Sequence, residues 1–222
     1  MPKDRTEDNR REDELKEYGM TEPVGESPIA FVPVIGQIEG HMLLPESSKA
    51  TRYEHILPML YEIEQNEKIK GLLLLLNTVG GDVEAGLAIA EMIAGMRKPS
   101  VSLVIGGGHS IGVPLAVCTT RSFIVPSATM TVHPVRVSGM VINAPQSIDY
   151  LRQMQARVTR FVCAHSRITE EKFRALLAER EDMANDVGTV LEGEQAVQCG
   201  LIDALGGIGD ALEALHDLCD AT

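Results

Sequence analysis

Alternating β-type apolar runs and helical patterns predict an α/β fold built on βα units with right-handed crossovers. Two observations carry the prediction. The run Gly71-Leu72-Leu73-Leu74-Leu75-Leu76-Asn77 is continuous rather than alternating, which suits a parallel strand covered on both faces. Two successive strand-to-helix turns, Asn77 to Gly81 and Gly106 to Gly112, are rich in glycine. In a parallel sheet such turns lie at the same edge of neighbouring strands, where ligands bind.

The elements follow in order. Residues 1–26 mix charges densely and read as a flexible, net-acidic tail, leaving 27–222 as one domain. Ile29 to Gly36 is a β-type run, and its Pro33 suits an edge or strand-start position. Ser47 to Asn66 reads as a helix on the spacing of Ile56, Leu57, Leu60 and Ile63. After the Gly71 strand, a helix runs from Asp82 to about Arg97-Lys98-Pro99. Val101 to Ile105 is the next strand, and Val113 to Val117 continues as a buried helix or an apolar turn. Arg121 to Pro126 and Ala128 to Val135 are β-like, and the second carries His133. Helices are expected over Pro145 to Ser166, Thr169 to Glu181, Glu192 to Cys199 with Gly200 as its αL cap, and Gly209 to Cys219, with a connector or short strand at Asp186 to Leu191.

Composition narrows the function. A net charge of −12 disfavours nucleic acid and anionic membranes, both of which bind basic patches. The 4 cysteines are spread singly without metal-type spacing, so reduced, mostly buried thiols and no metal or other cofactor are expected. The first residues contain no apolar core of a signal peptide, and Gly71 to Leu76 is far too short to span a bilayer; the expected location is the cytoplasm.

Gly108-x-Ser110-x-Gly112 fits the nucleophile-elbow pattern, in which glycines let the backbone turn sharply and leave the serine exposed. At a helix start, free N–H groups favour negative charge on that serine's reaction partner. Amides from both glycine turns, those of Gly81 and Ile111, are placed to converge on one oxyanion. A serine needs a base, and His133 lies on the next β segment; His109 adjoins Ser110, and neighbouring side chains diverge.

With these residues in hand, the chain resembles the proteolytic subunit of the Clp protease and its relatives. The resemblance spans about Ile29 to Leu205 and rests on five blocks in family order: Ile35 to Met42, Leu76 to Gly86, the serine turn, the histidine strand and Glu194 to Asp203. The ending Leu205-Gly206-Gly207-Ile208-Gly209-Asp210-Ala211 is similar to the TepA-type, translocation-enhancing branch. The resemblance implies a ClpP/crotonase-like fold of stacked βα units with a protruding handle helix at Pro145 to Ser166. It further implies a Ser-His-Asp peptidase acting on short or unfolded peptides in homo-oligomeric rings, with signal-peptide remnants as a substrate of the TepA-like branch. It maps Ser110 to the nucleophile, His133 to the base, and Gly81 and Ile111 to the oxyanion hole.

The chain departs from the family at several points. Counted back from Gly200-Leu201-Ile202-Asp203, the family's aspartate falls on Gly188. Asp186 is the expected acid, with Asn185 and Asp182 as alternatives. Thr78-Val79 stands where the family has Ser-Pro, and Pro134 follows His133 directly. The N-terminal tail lacks the family's short apolar start, which weakens the case for an AAA+ unfoldase partner. Three other readings compete. A crotonase-type acyl-CoA enzyme would use the same amides but needs a carboxylate, and only Asp82 and Glu84 are near the first turn. Ser-Lys catalysis is weakened because Lys172 is the only lysine after Lys98. A catalytically silent, ring-forming scaffold is the fourth reading.

Overall fold

The computed structural model describes residues 27–45, 47–136, 144–179 and 188–221. The N-terminal segment 1–26 expected as a tail therefore lies outside the described residues. Six strands form the main sheet: β1 (Ile29–Glu39), β2 (Ala50–Arg52), β3 (Gly71–Gly81), β4 (Ser100–Gly108), β5 (Arg121–Ile124) and β8 (Ala204–Leu205), in the order β2-β1-β3-β4-β5-β8 and all parallel. A short antiparallel pair, β6 (Thr129–Val132) with β7 (Thr189–Glu192), joins the end of β4 through Gly107 and Thr129. Helices α1 (Tyr53–Gln65), α2 (Val83–Ala94), α3 (Gly112–Val117), α4 (Ala144–Ala164), α5 (Glu170–Ala178), α6 (Gly193–Gln198) and α7 (Ile208–Asp220) complete the described elements.

The continuous apolar runs are explained by burial on two faces. Leu72, Leu74 and Leu76 of β3, with Val104 and Ile124, enter the larger core with α1, α2 and α3. The alternate residues Leu73, Val101, Leu103 and Phe123 face the other way, against Ala211, Ala214 and Leu215 of α7. One strand thus serves two layers because successive side chains point to opposite faces.

Most elements form where the pattern places them, and the differences have local causes. Ser47 to Arg52 is not helical. Ala50–Arg52 is a strand in register with Gln37, Ile38 and Glu39, and the helix starts at Tyr53. There the Thr51 hydroxyl both accepts from the Ile35 amide and donates to the Ile35 carbonyl, each at 2.9 Å, so it stands in for the strand that the edge lacks. Pro33 lies on β1 beyond this short pairing, opposite Leu75, where its missing N–H leaves no gap in the β1–β3 ladder that is formed. Strands β3 and β4 run on through their glycines to Gly81 and Gly108 instead of ending before them. Strand β8 has only two residues and carries no periodicity to read.

The cysteines are all free, as expected, though only Cys118 is fully buried; the other three are half-buried because they sit on outer helix faces or ends. Burial raises the pKa of each thiol, so none is an activated nucleophile. Among the described residues no helix is long and apolar enough to cross a membrane, and no cluster of ligating side chains has the size of a metal site.

Candidate active site

The site forms where β3 and β4 end. Register between these strands shifts from Leu76 opposite Val104 to Thr78 opposite Gly108, so β4 carries two extra residues. The Asn77 side chain fills the irregularity by accepting from the Gly107 amide at 3.1 Å. Thr78, buried, ties the other side: its hydroxyl donates to the Gly36 carbonyl at 2.6 Å and accepts from the Gly80 amide at 3.0 Å. Neither role leaves a signature in the sequence, since each is a tertiary contact of an ordinary strand residue.

Ser110 follows β4 with φ of +58°, the one non-glycine residue among those described in the left-handed region. Such a conformation costs about 1–3 kcal/mol and persists only where the surroundings fix it. Here they do. The Ser110 amide donates to the Thr131 carbonyl at 2.9 Å, and the Gly112 and Val113 amides donate back to His109 and Ser110 carbonyls at 2.8 and 3.0 Å. Gly80 makes the close approach possible: a Cβ there would lie 2.6 Å from Ser110 Cβ and 2.8 Å from the His109 carbonyl oxygen. The sharp strand–turn–helix is the structural context a nucleophile elbow requires.

Strand β6 clamps the elbow and delivers the histidine. Thr131 holds Ser110 through its carbonyl and bonds His109 Nδ1 through its hydroxyl at 2.8 Å. His133 lies two residues further on, at the loop that follows β6. Ser110, His133, Gly81 and Ile111 all line one cleft of about 130 Å³, so the four residues expected for nucleophile, base and oxyanion amides are brought together. Its remaining wall is largely apolar, including Val83, Val113, Val135 and Phe173. His109 turns away from the cleft toward Gly107, and burial, with the neighbouring His133 charge second, lowers its pKa.

The third position is different. Asp186, with Asn185 and Asp182, lies outside the described residues. Gly188 is buried against His133: a Cβ on it would meet His133 Cβ and the Val132 carbonyl oxygen, each at 2.7 Å. Its amide donates to the Glu179 carbonyl at 2.8 Å. His133 Nδ1 is bonded to the Pro134 carbonyl at 2.7 Å, and because a carbonyl only accepts, this fixes the proton on Nδ1 and leaves Nε2 as the basic nitrogen. The Val135 amide in turn donates to Gln155 Oε1 on α4 at 2.8 Å. Sequence reading missed Gln155, which carries no motif within its helix.

The carboxylates near the first turn are engaged elsewhere. Asp82 caps α2 by accepting from the Ala85 amide at 2.8 Å. Glu84 receives both terminal nitrogens of Arg157 at 2.6 and 3.0 Å, and this bonding holds its carboxyl below the usual range. Asp203 of the Gly-Leu-Ile-Asp block is structural, accepting from the Ser122 amide and hydroxyl, both at 2.9 Å.

Comparison with known proteins agrees with this architecture. The family model described as Clp protease matches residues 32–208. The translocation-enhancing protein TepA of Halalkalibacterium halodurans is 54% identical over 210 residues, covering 94% of this chain and 82% of that protein. The ATP-dependent Clp protease proteolytic subunit 1 of Protochlamydia amoebophila is 25% identical over 67% of this chain and 71% of its own length. Among solved structures, a ClpP1 mutant from Listeria monocytogenes matches with a TM-score of 0.65 at 17% identity, over 82% of this chain and 94% of that one, which shows the shared fold.

Proposed function

The chain belongs to the Clp protease family, and on that premise we propose that it is a serine peptidase acting on short or unfolded peptides. The observation that carries this reading is the strained Ser110 facing the same cleft as His133. In the reaction, His133 Nε2 takes the Ser110 hydroxyl proton as Oγ attacks the peptide carbonyl. The developing oxyanion is received by the Gly81 and Ile111 amides, worth on the order of 10²–10³ in rate per donor. The imidazolium then returns its proton to the leaving amine, and water, deprotonated by His133, releases the acyl group. The apolar cleft wall favours an aliphatic side chain next to the scissile bond.

Members of the family assemble as rings, and the surface here suits assembly. Phe31, Ile35 and Ile105, on strands of the main sheet, are 41%, 45% and 41% exposed, and Ile148 and Tyr150 of α4 are exposed as well. The 54% identical relative is named as translocation-enhancing; signal-peptide remnants are proposed here as substrates, a role to be tested with such peptides.

A crotonase-type reaction is disfavoured because Asp82 and Glu84 are committed to a helix cap and an ion pair. The direct test is hydrolysis of short fluorogenic peptides and of synthetic signal-peptide fragments by the assembled protein. The expected result is cleavage that Ser110→Ala abolishes. An assembled wild type that cleaves no peptide would favour the silent scaffold.

A further inference from the structure

We infer that His133 is oriented by the Pro134–Val135 peptide group instead of a side-chain carboxylate, and that Gln155 is the positioning residue that fixes this peptide. The inference rests on the Ser110–His133 reading and deepens it.

Three observations lead there. The position that the family's aspartate occupies in sequence register is Gly188, packed on His133 too closely for any side chain. The His133 Nδ1 proton is already taken by the Pro134 carbonyl at 2.7 Å. The other end of the same peptide is held at 2.8 Å by Gln155 Oε1, whose Nε2 reaches the buried Thr159 hydroxyl at 3.4 Å. A chain of hydrogen bonds thus runs from α4 through one peptide plane to the imidazole. Rotation of that plane is what would release Nδ1, and Gln155 opposes it.

The chemistry follows from the acceptor. A carbonyl selects the Nδ1–H tautomer as well as a carboxylate does, so Nε2 is presented as a base. It lacks the full negative charge that stabilises the imidazolium, so the base is correctly aimed and less strongly driven.

The test compares the assembled wild type with Gln155→Leu, Gln155→Glu and Asp186→Asn. It reads the second-order rate of inactivation by a small fluorophosphonate across pH, and the His133 tautomer by NMR of ¹⁵N-histidine-labelled protein. Gln155→Leu is expected to slow inactivation about tenfold, the equivalent of one hydrogen bond, and to turn a single Nδ1–H tautomer into a mixture. Gln155→Glu still accepts from the Val135 amide and is expected to stay within about threefold, as is Asp186→Asn. If Asp186→Asn instead costs close to 10⁴-fold while Gln155→Leu is silent, a carboxylate orients His133 and the inference is overturned. If Gln155→Leu fails to fold, Gln155→Met, which keeps the volume but is a far weaker acceptor for the Val135 amide, is read in its place with the same loss of about tenfold and mixed tautomer expected, and a silent Gln155→Met overturns the role of Gln155. Absence of inactivation in the wild type would remove the peptidase reading alone, because the tautomer of His133 is read independently of Ser110.

Discussion

The two halves of the site are built by different means. The serine half is held by backbone: glycines at 80 and 112, amide-to-carbonyl bonds on both sides of Ser110, and the Thr131 carbonyl leave Ser110 no alternative to φ of +58°. The histidine half hangs on side-chain and loop contacts. His133 stands past the end of β6, against a glycine on one side and a single peptide carbonyl on the other. The nucleophile is therefore placed by rigid elements, while the aim of the base depends on how the loop after β6 is tied to α4.

Substitutions at the glycines sharpen this contrast. Gly80→Ala places a methyl on Ser110 Cβ at a φ of +89°, so both halves of its cost fall on the elbow. It should destabilise the protein by about 1–3 kcal/mol and slow serine reactivity on the order of 10²–10³-fold, seen in thermal melts and inactivation rates. Gly188→Ala, at a φ of +142°, carries a similar backbone penalty but pushes on His133 and the Val132 carbonyl, away from Ser110. Its rate should fall about tenfold while Ser110 keeps its geometry. Equal rate losses at the two positions would break the distinction between the halves.

A smaller effect separates the two histidines. His109 lies below its ordinary pKa of 6.5, because it is partly buried and next because of the His133 charge. The unfolded chain then binds more protons than the folded one as pH drops below 6.5, so this contribution to stability is complete above that pH and is lost as pH falls through the folded pKa. His109→Gln should flatten the decline of Tm between neutral pH and about pH 5. An unchanged slope would mean His109 is not the buried partner described. The smallest effect belongs to the ion pair of Glu84 with Arg157, both nearly half exposed. Glu84→Gln should cost less than about 1 kcal/mol in denaturant melts, and less still at high salt.

The same contrast explains what the sequence revealed. The elbow was legible because backbone geometry demands glycine at fixed spacing, and glycine is visible in a string of letters. The layered sheet was legible because double burial writes continuous apolar runs such as Leu72 to Leu76. What could not be read were Thr78, Asn77 and Gln155, whose polar groups act across distances of 42, 30 and 20 residues along the chain. Strand β2 was misread as helix because Ser47 to Arg52 has no pattern of its own, and its pairing with β1 is purely tertiary.

The central claim is that Ser110 is an activated nucleophile with His133 as its base. The most direct test is fluorophosphonate labelling of the assembled protein near neutral pH, with the modified residue located by peptide mass spectrometry, beside Ser110→Ala and His133→Ala. The account predicts a single adduct on Ser110, none in Ser110→Ala, and labelling slowed by about 10⁴-fold in His133→Ala. An adduct on another residue, or a folded and assembled wild type that takes none, would contradict it.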